Sequence, residues 1–166
     1  MELLSFEPLV LPLADALRAR GWRMATAESC TGGLIAAACT SLAGSSDWFE
    51  RGYVTYTNEA KAQMLGVDPA LFVRVGAVSE EVARAMVQGT VKAAPVQFAV
   101  AVTGIAGPGG AVPSKPVGTV WLAWGDAQGI QAKRLQLAGD RDAVRGAAVQ
   151  QALQHLLAFV QTRTSP

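Results

Sequence analysis

Charge is scarce in this sequence. Acidic and basic residues make up only 16% of the 166 residues and nearly cancel, leaving a net charge of +1. That balance leaves no basic footprint for nucleic acid or for an anionic membrane surface. Histidine is scarcer still. The one histidine, His155, is remote in sequence from every polar cluster, which argues against a Ser-His-Asp triad. Cysteine is limited to Cys30 and Cys39, with no CxxC or Cys/His grouping. No structural zinc site and no other metal is therefore expected, and reduced thiols in a cytoplasmic protein are the simplest reading. Apolar runs fall short of the roughly 20 residues that a membrane span needs. Glu2, Glu7, Pro8 and Pro12 stand where a basic leader would, so no signal peptide is expected. Also missing are a GxxxxGK[ST] loop, a GxGxxG after a strand and a GxSxG elbow.

What remains is apolar and finely divided. Hydrophobic residues make up 51%, enough for a sizeable core, and the length suits one domain over residues 1–166. So little surface charge suggests that a partner subunit covers some apolar surface, and a homodimer fits. Helical spacing marks 9–20, stopped by Gly21. A short strand covers 23–27, and an alanine-rich helix 32–42. The β-branched and aromatic run 52–57 predicts a strand. Asn58 is placed to cap a helix through Leu65, and Ser79 one through Ala93. Residues 98–102 form the continuous apolar run of a strand buried on both faces. A Gly/Pro-rich loop follows over 103–116, then two antiparallel strands, 117–124 and 130–137. Asp140 caps a final helix over 141–160. This order predicts a three-layer α/β/α single domain, with a mixed sheet and helices on both faces.

Polar chemistry concentrates in a few places. The run Thr26-Ala27-Glu28-Ser29-Cys30-Thr31-Gly32-Gly33 places a carboxylate, hydroxyls and a thiol on a strand-to-helix turn. Ligands bind at such turns in open α/β sheets. Ser45 and Ser46 follow Gly44. Tyr56, Asn58, Glu59 and Lys61 follow the second strand, Thr103 and Gly104 end the most buried one, and Arg141 and Arg145 lie one turn apart on the last helix. With no histidine at hand, a serine hydrolase here needs another base. Lysine is the best candidate, because burial lowers its pKa towards neutrality, and Lys61 has the most polar company.

Six segments carry a resemblance, in order. They are Ala27 to Gly33, Ala43 to Phe49, Gly52 to Lys61, Gly76-Ala77-Val78-Ser79, Thr103 to Pro108, and Lys115-Pro116-Val117-Gly118-Thr119-Val120. From about Leu13 to Leu157 the chain resembles the C-terminal domain of the competence- and damage-inducible CinA proteins, in its stand-alone form. The resemblance implies hydrolysis of the carboxamide of nicotinamide mononucleotide, giving nicotinic acid mononucleotide and ammonia, without a cofactor. It also implies Ser46 as nucleophile, Lys61 as its base and Tyr56 as a third polar partner. Backbone N–H groups around Ser45 and Ser46 would then meet the oxyanion. Glu28, Ser29, Thr31, Gly32, Gly33, Thr103 and Gly104 would line the substrate pocket. Either the turn at Thr31 to Gly33 or Arg141 and Arg145 would anchor the phosphate. The loop 109–114 departs from the family in lacking acidic residues. Two rival readings stand beside this one: a non-catalytic nucleotide-binding module, and a thiol hydrolase using Cys30 at a helix start.

Overall fold

In the computed structural model, which describes residues 2–165, five strands form one mixed sheet in the order β2-β1-β3-β4-β5. The chain enters through a 3-10 turn, Leu3–Phe6, and α1, Glu7–Arg18. It continues with β1, Met24–Glu28, and α2, Leu34–Thr40. A short 3-10 turn, Ser45–Asp47, leads into β2, Phe49–Val54. Three helices follow: α3, Asn58–Leu65; α4, Pro69–Arg74; and α5, Glu80–Ala93. Then come β3, Phe98–Gly104; β4, Thr119–Gly125; β5, Ile130–Gln136; and the long α6, Arg141–Thr162. The three-layer α/β/α fold expected from the sequence is the one observed.

β1 pairs in parallel with both β2 and β3, while β4 and β5 run antiparallel. The chain leaves β1 for β2 on one side and returns to β3 on the other. This reversal is a topological switch point at the carboxyl ends of β1, β2 and β3, and the crevice outside such a point is the usual ligand position in open α/β sheets. Alternation along the central strands builds two unlike layers. Met24, Phe98, Val100, Val102, Val120 and Leu122 face α1, α2 and α6. Ala27, Ala99, Ala101 and Ala123 face α5 with Val82, Met86 and Val87. Small residues on that face let α5 lie close to the sheet. Gly89 brings α5 just as close to α3, since a Cβ there would fall 2.0 Å from the Leu65 carbonyl oxygen.

Several local expectations shift. β2 begins at Phe49 rather than Gly52, with a register irregularity opposite Met24 and Ala25, and ends at Val54. α2 is shorter than its alanine-rich run because Gly32 and Gly33 take positive φ before it. Thr57, not Asn58, caps α3, with its hydroxyl accepting from Ala60 N–H at 3.1 Å. Ser79 and Asp140 do cap α5 and α6. Helix α4 was not anticipated, although Asp68 as N-cap and Pro69 at the first helical position are its signal.

Candidate active site

β1 carries its polar residues to the crevice and then splits them between the layers. Glu28 ends the strand and points towards α2. Ser29, the next residue, meets α3 on the other side. There Lys61 projects from the first turn of α3, and only 2% of it is exposed. Lys61 Nζ donates to the Thr55 carbonyl at 3.0 Å and lies 3.1 Å from Ser29 Oγ. Among the described residues no carboxylate pairs with this amine. Burial therefore lowers the Lys61 pKa from its ordinary value, with a smaller opposing effect from Cys30. A buried lysine that loses its proton readily and touches a serine hydroxyl is equipped for general base catalysis.

Ser46 is elsewhere. It precedes β2 at the amino end of the parallel strands, whereas Lys61 follows β2 at the carboxyl end. The six residues of β2 separate the two ends by roughly 17 Å at about 3.3 Å per residue. Ser46 is exposed, and its carbonyl accepts from Arg23 Nη2 at 2.9 Å. The expected Ser46–Lys61 contact is thus not formed in the structure, where the serine beside Lys61 is Ser29. The Ser45 and Ser46 N–H groups, expected as oxyanion donors, lie before β2 and so at the opposite end of that strand from this amine.

Other expected residues do converge on the crevice. Thr103, almost wholly buried at the end of β3, donates to the Ala77 carbonyl at 2.9 Å. Gly104 has no room for a side chain, since a Cβ would meet Val120 Cγ2 at 2.7 Å and Cys30 Sγ at 3.1 Å. Tyr56 is 55% exposed at the rim and accepts from Arg141 Nη2 at 2.8 Å rather than bonding Lys61. Arg141 Nη1 donates to the Gly107 carbonyl at 2.8 Å. A concavity of about 440 Å³ lies beside Arg141, lined by Ala106, Pro108, Val117, Gly139 and Asp140. Arg145 turns to the protein, donating to the Cys30 carbonyl at 3.2 Å and the Thr31 carbonyl at 3.3 Å.

The start of α2, expected as an anion cradle, is already occupied by a side chain of the protein. Glu28 is fully buried and accepts from the Ile35 and Ala36 N–H groups at 2.8 and 3.0 Å, so those donors are not open to a phosphate. Cys30 is set aside as a nucleophile because burial pushes its thiol up to about 11, leaving it protonated at neutral pH. The Thr55 carbonyl was missed by the sequence reading. It holds Lys61 through the backbone, and a carbonyl leaves no residue-type signal. Among the described residues no grouping of His, Cys, Asp and Glu side chains could hold a metal ion.

Residues 7–160 match the CinA C-terminal domain. The chain belongs to that family. It is 55% identical over 149 residues to the nicotinamide-nucleotide amidohydrolase PncC of Pseudomonas putida, covering 90% of this chain and 93% of that protein. It is 54% identical over 145 residues to the enzyme of the same name from Escherichia coli K12, covering 87% and 88%. The crystal structure of the competence/damage inducible protein CihA from Agrobacterium tumefaciens superposes with a TM-score of 0.91 at 43% identity, over 95% of this chain and 96% of that one.

Proposed function

We propose that this CinA-family domain is a nicotinamide-nucleotide amidohydrolase that hydrolyses the carboxamide of nicotinamide mononucleotide to nicotinic acid mononucleotide and ammonia. Ser29 is the nucleophile in this reading and Lys61 its base. The observation that carries the mechanism is the 3.1 Å contact between Lys61 Nζ and Ser29 Oγ in a buried setting. The substrate comes from the names of the relatives.

A neutral Lys61 accepts the Ser29 proton as Oγ attacks the amide carbonyl carbon. The resulting ammonium returns that proton to the departing nitrogen as the C–N bond breaks, releasing ammonia and leaving an ester on Ser29. Water then attacks the ester, Lys61 takes its proton and passes it to Ser29 Oγ, and the carboxylic acid departs. The Thr55 carbonyl holds the amine in line throughout. N–H groups of the turn after Ser29 are the donors assigned to the oxyanion, replacing those at Ser45 and Ser46. Arg141 anchors the phosphate from the rim, and Thr103 lines the floor. Tyr56 keeps a place in the site through Arg141 instead of as a proton relay. No helix among the described residues is long and apolar enough to cross a membrane. A free nucleotide substrate assigns the reaction to the cytoplasm in this reading.

Incubating the purified protein with nicotinamide mononucleotide, and measuring ammonia and the acid product, tests the proposal. Binding of the nucleotide with no ammonia at any pH between about 6 and 9 would overturn it and favour a non-catalytic binding module.

A further inference from the structure

The Glu28 carboxylate is bound more thoroughly than capping a short helix requires. Oε1 accepts from Thr31 Oγ1 at 2.7 Å and from Ile35 N–H at 2.8 Å. Oε2 accepts from Ala36 N–H at 3.0 Å and from Thr26 Oγ1 at 3.3 Å. These donors come from β1, from the turn and from α2. The N-cap of α2 is Gly33, at φ 96°, with no side chain to offer. The capping acceptor instead reaches across from the far side of the turn and ties the start of the helix to the end of the strand. Ser29 is the first residue inside the segment closed in this way, and its N–H donates to the Val102 carbonyl at 3.0 Å. Glu28 itself faces α2, away from Lys61, and none of the ion pairs among the described residues includes it.

We infer that Glu28 is a positioning residue for the reaction: its buried carboxylate clamps the turn that carries Ser29, and so keeps the hydroxyl in reach of Lys61. The inference rests on the Ser29–Lys61 reading. It assigns Glu28 no contact with substrate, contrary to the pocket-lining role expected from the sequence. It also means that this helix terminus serves catalytic geometry and not phosphate binding.

Glu28→Gln in the full chain tests it. The carboxamide keeps the size but turns an NH2 towards one of the two donor pairs. The threonine hydroxyls can rotate to accept, whereas the backbone N–H groups cannot, so the turn must shift. Because a misplacement of about 1 Å can cost about 100-fold in rate, kcat is expected to fall tenfold or more. KM should stay within about threefold, and the acidic midpoint of the kcat/KM profile should hold, because burial, the main cause of the lowered Lys61 pKa, is unchanged when the turn shifts. Parental kcat per folded molecule would overturn the inference. So would a raised KM at unchanged kcat, which marks a substrate contact, or a displaced midpoint, which marks a direct electrostatic effect on Lys61. Should Glu28→Gln fail to fold, Thr31→Val removes one donor and reads the same kcat effect, and a parental kcat there overturns the inference equally. Ser29→Ala separates the two layers of argument. An active Ser29→Ala refutes the nucleophile, while an inactive one beside a fully active Glu28→Gln refutes the clamp alone.

Discussion

Two serines compete for the role of nucleophile, and one pair of variants decides between them. Ser29→Ala removes an oxygen 3.1 Å from the Lys61 amine, whereas Ser46→Ala removes one beyond the opposite end of β2. In the proposed mechanism Ser29 carries the acyl group, so its loss is expected to lower kcat by at least about 1,000-fold, equivalent to about 4 kcal/mol of transition-state stabilisation. The fold should tolerate the change, because the Lys61 amine retains the Thr55 carbonyl at 3.0 Å. Ser46→Ala keeps the backbone carbonyl that Arg23 binds and alters only an exposed side chain. Its stability should stay within about 0.5 kcal/mol of the parent and its kcat within about twofold. Steady-state ammonia release on both variants, with circular dichroism to confirm folding, is the assay. A folded Ser46→Ala as inactive as expected for Ser29→Ala would refute the reasoning, as would a Ser29→Ala variant keeping a tenth of parental kcat.

The remaining predictions concern the surroundings of this pair. Lys61 has a lowered pKa in the folded state, so between that value and the model-peptide value of 10.5 the unfolded chain binds the extra proton. Stability should therefore rise with pH through that window, and Lys61→Met should stabilise most below it and progressively less towards pH 10.5. Urea unfolding at a series of pH values reads this, and a gain that grows with pH would refute it. Activity of the parent should rise as Lys61 deprotonates, and the same lysine variant should be inactive at every pH. With Arg141 as the proposed phosphate anchor, Arg141→Ala should raise KM for the mononucleotide by about 10- to 100-fold, with less effect on the corresponding nucleoside. Equal effects on both substrates would remove Arg141 from the phosphate site. Cys30→Ala should retain kcat within a few-fold in the ammonia assay, since the buried thiol stays protonated at neutral pH. Gly89→Ala should cost about 1–3 kcal/mol in urea unfolding, because its Cβ would collide with the Leu65 carbonyl where α5 supports α3.

Much of the fold was legible because short-range rules act locally. The apolar run of β3, the caps at Ser79 and Asp140 and the stop at Gly66 each depend on neighbours a few residues away. Boundaries failed where distant pairing intervened. β2 extends back to Phe49 because β1 offers it a partner, and it ends at Val54 because the Thr55 carbonyl leaves the sheet to receive Lys61. The polar run at Glu28 to Gly33 was visible as a ligand position, yet its internal division was not. Strand alternation sends Glu28 and Ser29 to opposite layers, and only the placement of α2 and α3 gives each its partners.

Composition and order of residues by themselves determined an α/β domain, the family, the absence of a histidine triad and a lysine as the candidate base. Each of these depends on which residues are present and how they are spaced along the chain. Which serine meets that lysine was decided only in three dimensions. Ser46 and Ser29 are both hydroxyls at glycine-flanked turns, and nothing local distinguishes them. The parallel pairing of β1 with β2 places one at the amino edge of the sheet and the other at the carboxyl edge, and Lys61 follows β2 to the second.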